Sequence, residues 1–179
     1  ACAILASEIT LKNTFDKKVL ILVKGQNIEN NFIKEVINRT EGKYLGTVKK
    51  EGEETNIGLL RKRTNANIRK NYEIVHFEAF SKKLKEMNES KIRELYSHRL
   101  IIIDEVQNLQ PQEGETDIGQ YNNIYRMLST VENIKLLLLS ATPWSTIEQF
   151  ISTINLLIMP KKMEYITKEN KYILYENNH

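Results

Sequence analysis

Three uninterrupted aliphatic runs set the tightest limit on the fold: Val19-Leu20-Ile21-Leu22-Val23, Leu100-Ile101-Ile102-Ile103 and Leu136-Leu137-Leu138-Leu139. A strand with one wet face alternates apolar and polar residues, whereas a strand covered on both faces reads as a continuous β-branched and aliphatic stretch. The runs therefore point to a mostly parallel sheet flanked by helices, an α/β architecture in which the intervening segments cross over the sheet. Each run is far shorter than the roughly 20 residues that span a bilayer. No transmembrane helix is expected, and no signal peptide, because Ala1-Cys2-Ala3-Ile4-Leu5-Ala6 lacks a charged leading region.

The segments between the runs carry helical spacing. Residues 1–12 place Ile4, Leu5, Glu8, Ile9 and Lys12 at helix-like intervals, and the missing cap implies that the chain opens partway along this helix. Ile28, Phe32, Ile33, Val36 and Ile37 share one face of a helix over 27–38. Residues 72–76 read as a short strand, followed by helices over 77–87, with Phe80 and Leu84 inward, and over 90–96, capped by Ser90. After a polar loop at 108–119, Tyr121, Ile124, Tyr125 and Leu128 outline another helix, and 146–157 a last one. The stretch 40–70 holds Gly42, Gly46, Gly52 and Gly58 and many charges, which predicts one short strand near 44–48 and an exposed loop. The tail is polar and lysine-rich, with a further strand expected near 172–175.

With 179 residues, 27% of them charged and 41% apolar, one well-buried domain is expected. The net charge of +3 is too small to mark a nucleic-acid binder by itself. Arg61, Lys62, Arg63, Arg69 and Lys70 form a basic stretch without an acid, read as a solvated loop in preference to a phosphate contact. Lys82, Lys83 and Lys85 read as the outward face of a helix. The single cysteine, Cys2, excludes an internal disulfide and reads as a buried thiol, which favours a reducing compartment: cytosol, nucleus, or a virus particle assembled there. His76, His98 and His179 have no metal-like spacing, so no zinc site is expected.

Chemistry concentrates at two strand ends. The run at 100–103 ends in Asp104-Glu105-Val106-Gln107, and that at 136–139 in Ser140-Ala141-Thr142-Pro143. Ligands of open parallel sheets bind beyond the carboxyl ends of strands. In a phosphoryl-transfer site the first carboxylate holds Mg²⁺ through water and the second orients or deprotonates the attacking water. The hydroxyls of Ser140 and Thr142 are suited to pass a change at the acids to a neighbouring element. Trp144, just after Pro143, reads as a packing or interdomain residue.

On this pair of motifs the sequence resembles superfamily 2 helicases, in which they are motifs II and III of the first RecA-like domain. The resemblance implies a P-loop NTPase fold incomplete at both ends, with residues 1–160 a partial ATP-binding domain and 161–179 leading toward a missing segment or second domain. It implies ATP and Mg²⁺ as ligands, Asp104, Glu105 and Gln107 as catalytic residues, Asp104 as the Mg²⁺ holder, and Ser140, Ala141 and Thr142 as the coupling motif. Lys24 and Gly25 fit the place of motif Ia, and His76 and Phe77 that of motif Ib, both contacts to DNA or RNA. Gln107 stands where such proteins more often carry histidine.

Residues 72–84, 100–109 and 137–157 are similar to helicase-like ATPases of large DNA viruses, such as the small subunit of poxvirus-type early transcription factor and nucleoside triphosphatase I, which implies an RNA polymerase as partner. No loop ending in Gly-Lys-Ser/Thr occurs in these residues; its expected place is directly before Ala1, and a second RecA-like domain is expected after His179. The chain as given is therefore expected not to hydrolyse ATP alone. Two other readings fit the same residues: a subunit that keeps the fold without ATPase activity, and the translocating subunit of a restriction or chromatin-remodelling complex.

Overall fold

A computed structural model describes residues 2–13, 15, 17–46, 57–109, 119–142 and 144–158. Four strands, β1 (Val19–Val23), β2 (Tyr72–His76), β3 (Leu100–Asp104) and β4 (Lys135–Leu139), form one parallel sheet in the order β2-β1-β3-β4. Around it lie seven helices among the described residues: α1 (Cys2–Asn13), α2 (Gln26–Arg39), α3 (Ile57–Asn71), α4 (Phe77–Lys85), α5 (Glu89–Tyr96), α6 (Gly119–Thr130) and α7 (Ile147–Ile158).

The uninterrupted runs are explained by two cores, one on each face of the sheet. Side chains of a strand alternate between faces. Leu20, Leu22, Ile101 and Ile103 enter a core with Phe77, Phe80 and Leu84 of α4, Ile92 and Tyr96 of α5, and Ile124, Met127 and Leu128 of α6. Val19, Ile21, Val23, Leu100 and Ile102 enter the other, with Ala3 and Ile4 of α1, Phe32 and Val36 of α2, and Ile68 of α3. Ile101, Ile102 and Ile103 are fully buried. At about 1.5–3 kcal/mol for each such side chain, burial holds β3 in place strongly enough to carry two acids at its end.

The reading of 40–70 as a strand and loop is corrected by α3. Residues 44–46 form no strand, and 47–48 lie outside the described residues. Thr64 and Ile68 face the core one turn apart, below the half-buried Leu60. The helix was hidden because its inward face includes a threonine and its sequence three asparagines. Its basic side chains Arg61, Lys62, Arg69 and Lys70 are exposed on a helix instead of on a loop. Gly46 lets the preceding turn press on this helix: its N–H donates to Thr64 Oγ1 at 3.0 Å, and a Cβ there would meet Arg63 Cβ at 2.8 Å.

Helix α5 is capped by Asn88, two residues before the expected Ser90: its side chain accepts from the Lys91 N–H at 2.9 Å. The loop expected at 108–119 begins with a 3-10 turn, Val106–Leu109, whose two end residues are buried; residues 110–118 lie outside the described part. The strand expected near 172–175 and the Cys2 side chain lie outside it as well.

Glu8 fastens α1 to the rest of its layer. One carboxylate oxygen accepts from Tyr44 at 2.7 Å and Tyr72 at 2.6 Å, and the other lies 2.6 Å from Lys43 Nζ. Burial acts to raise its pKa, but the hydrogen bonds from Lys43, Tyr72 and Tyr44 together outweigh it and leave the carboxyl below its ordinary value. A carboxylate lowered on folding stabilises above its unfolded pKa of about 4.3 and loses that contribution as pH falls through the lowered value. Glu8→Gln is expected to lower the unfolding free energy in urea by about 1–3 kcal/mol at neutral pH, with the difference shrinking in acid. An undiminished difference at low pH would contradict the ion-pair account.

Candidate functional site

The sheet register brings the carboxyl ends of all four strands together. Val23 pairs with His76, Leu22 with Ile103, and Asp104 with Leu139. Lys24, Phe77, Glu105 and Ser140 therefore follow at one edge of the sheet, contributed by segments far apart in sequence.

Asp104 is half-buried at the end of β3. Its pKa is raised, first by burial and then by the neighbouring Glu105 charge, and only partly offset by a hydrogen bond from the Glu105 backbone. Among the described residues no cationic side chain pairs with it. Nor do three or more His, Cys, Asp or Glu side chains gather into a metal-holding group. Glu105 has φ +56, a left-handed backbone that costs a non-glycine residue about 1–3 kcal/mol and persists only where neighbours impose it.

Those neighbours form a continuous hydrogen-bond chain. Gln107 Nε2 donates to Glu105 Oε2. Ser140 Oγ donates to Gln107 Oε1 at 2.5 Å and accepts from the Thr142 backbone N–H at 3.1 Å. Ala141, exposed, occupies the bend between the two hydroxyl residues. Beyond the bend, Trp144 is exposed and packs edge-on against Phe150 at 4.9 Å. A second arm leaves the same glutamate. Asn108 donates to the Glu105 carbonyl from its backbone at 2.9 Å and from Nδ2 at 3.0 Å, while its Oδ1 accepts from Lys24 Nζ at 2.8 Å.

Lys24, Gly25, Gln26, Asn27 and Ile28 line an open depression of about 350 Å³ at the start of α2. Gly25 precedes the helix in extended backbone, and a Cβ there would touch nothing within 4 Å. Among the described residues nothing crowds the surface at this point. Beside it the buried Glu29 accepts from Arg69 Nη2 at 3.1 Å and from Gln26 Nε2 at 3.3 Å, and lies 2.9 Å from His76 Nε2. His76 is thus held by Glu29, with about a third of its side chain exposed. Phe77 is 3% exposed and belongs to the core, so only its backbone faces the sheet edge.

Of the residues singled out from sequence, Lys24, Glu105, Gln107, Ser140 and Thr142 share one connected network, and Asp104 abuts it. His76 joins a separate cluster around Glu29. Glu29 and Asn108 were not singled out, and Arg69 was read only as part of a solvated basic stretch; the one local signal was Glu29 as an acid in the first turn of α2.

A four-stranded parallel sheet flanked by helices is the fold of a helicase RecA-like domain. Residues 1–145 match the family described as "Type III restriction enzyme, res subunit", and the chain belongs to that family. It is 32% identical over 173 residues to the putative helicase 087L of Invertebrate iridescent virus 3, covering 95% of this chain and 17% of that protein's length. The fold resembles the helicase domain of Pyrococcus furiosus Hef, with a TM-score of 0.53 and 19% identity, over 87% of this chain and 30% of the other. Among the described residues no helix is long and apolar enough to cross a membrane.

The raised pKa of Asp104 has a thermodynamic consequence. A carboxyl whose folded pKa exceeds its unfolded value of about 3.9 destabilises the fold once pH rises through that window. Asp104→Asn is therefore expected to raise the thermal midpoint at neutral pH, the gain vanishing below the ordinary aspartate range. A lower midpoint at neutral pH would show that the carboxylate is instead stabilised by its surroundings.

Proposed function

We propose that residues 1–160 are part of the first nucleotide-binding domain of an ATP-dependent nucleic-acid helicase or translocase, with 161–179 leading toward a further segment or a second domain. The observation that carries this reading is the Gln107 amide, bonded on one side to Glu105 and on the other to Ser140. It joins a carboxylate suited to general-base work to a bend suited to report on that work.

The acids fit a Mg²⁺–nucleotide ligand: Asp104 is a half-buried carboxyl without a cationic partner among the described residues, and Mg²⁺ is usually held by one or two carboxylates together with substrate phosphates. When bound, Mg²⁺ supplies charge neutralisation on the phosphates being separated. Asp104 would hold the cation. Glu105 orients the attacking water and takes its proton at a carboxylate oxygen, and Gln107 fixes that side chain. Ser140, with Ala141 and Thr142, passes a change at Glu105 to the segment after β4. Lys24 and the open surface at Gly25 contact a DNA or RNA phosphate, with His76 and the Phe77 backbone further along the same edge. The narrower reading of a viral transcription ATPase working beside an RNA polymerase rests on sequence likeness at 72–84, 100–109 and 137–157.

In the full-length protein, Glu105→Gln is expected to lower nucleic-acid-stimulated ATP turnover by about 10²-fold or more, while single-strand affinity measured by fluorescence anisotropy is kept. A wild-type rate in this variant would overturn the assignment of Glu105, whereas absence of turnover in the wild-type protein would favour a subunit that keeps the fold without the activity.

A further inference from the structure

We infer that Asn108 is a positioning residue through which contact between Lys24 and a nucleic-acid phosphate changes the orientation of Glu105. The inference rests on the reading of Lys24 as a strand contact and of Glu105 as the group that handles the attacking water.

A side-chain amide has one accepting and one donating end, and an ammonium only donates. Lys24 at 2.8 Å therefore takes the oxygen of Asn108 and leaves its nitrogen for the Glu105 carbonyl at 3.0 Å. With the Asn108 backbone N–H at 2.9 Å, that carbonyl has both lone pairs engaged. Glu105 is also the residue with left-handed backbone, φ +56, a conformation that depends on being held by its surroundings. Asn108 thus clamps the strained residue from one side and is itself oriented by Lys24 from the other.

Lys24 is exposed and borders the open depression at Gly25. A phosphate oxygen entering there is an ionised acceptor, and its charge adds a Coulomb attraction for the ammonium that the neutral amide oxygen does not offer. The phosphate draws the ammonium from the amide oxygen. The amide is then free to turn, the Glu105 carbonyl loses its side-chain partner, and the glutamate leaves its resting orientation. Without a strand the clamp is closed and turnover is low; with a strand it opens. The second hold on Glu105, through Gln107 to Ser140, then carries the movement to the end of β4.

The test measures ATP turnover of the full-length protein with and without single-stranded oligo-dT and oligo-U, in wild type, Asn108→Leu and Asn108→Asp. Leucine is close in size and has neither bond; aspartate keeps the acceptor for Lys24 and loses the donor to Glu105. In both variants basal turnover is expected to rise toward the stimulated wild-type rate at unchanged KM for ATP. The stimulated-to-basal ratio should fall by about fivefold or more, the lower end of usual coupling between sites. A wild-type ratio in both variants, or an equal loss of basal and stimulated rates, overturns the inference alone. A wild-type protein that neither binds nor responds to either oligonucleotide overturns the underlying reading and this inference with it.

Discussion

The Gln107 amide is the point on which the site turns. It donates to Glu105 and accepts from Ser140, so the orientation of a carboxylate at the end of β3 is tied to the bend that ends β4. A glutamine is suited to this position because its two ends differ: the carboxylate can accept only from the nitrogen, which leaves the oxygen to the hydroxyl. Turning the amide over sets its oxygen against the carboxylate and leaves a polar group unmatched at a half-buried place, which is costly. The pairing therefore has one stable sense, and movement of one partner displaces the other.

That tie is useful only if the strand beneath it stays still. β3 is the strand whose isoleucines are covered by both cores, and its neighbours β1 and β4 hold it in register along its length. The same burial raises Asp104 and places it next to a second acid. Hydrophobic packing thus supplies the rigidity that keeps two mutually repelling carboxyls at one end of the sheet, and a left-handed backbone at Glu105 turns the second of them toward Gln107. The fold tolerates a locally unfavourable arrangement where ligand chemistry is expected, a common relation between strain and function.

Much of this was legible in the sequence because it depends on short-range pattern. The runs that became β1 and β3 are apolar at every position, as double-sided burial demands, while the equally apolar run of β4 is half-buried at the sheet edge; Asp104, Glu105, Ser140 and Thr142 follow closely on such runs. Helix α3 was missed because its inward residues include Thr64, which period counting does not score. Phe77 was read as a strand contact from its place beside β2, yet its side chain fills the core. Asn108 and Glu29 gave little warning because their partners are remote: Lys24 is 84 residues from Asn108, and Arg69 and His76 are 40 and 47 from Glu29. Such pairings belong to the tertiary structure, and no local spacing encodes them.

The central claim is that Glu105 and the Ser140 bend act as one unit through Gln107. A double-mutant cycle of Gln107→Ala and Ser140→Ala, read as stimulated ATP turnover of the full-length protein, tests it most directly. The account predicts a coupling of about 0.5–3 kcal/mol between the two changes, as for residues in contact, with the second substitution adding little to the first. Effects that add to within about 0.3–0.5 kcal/mol, as for independent sites, would contradict it.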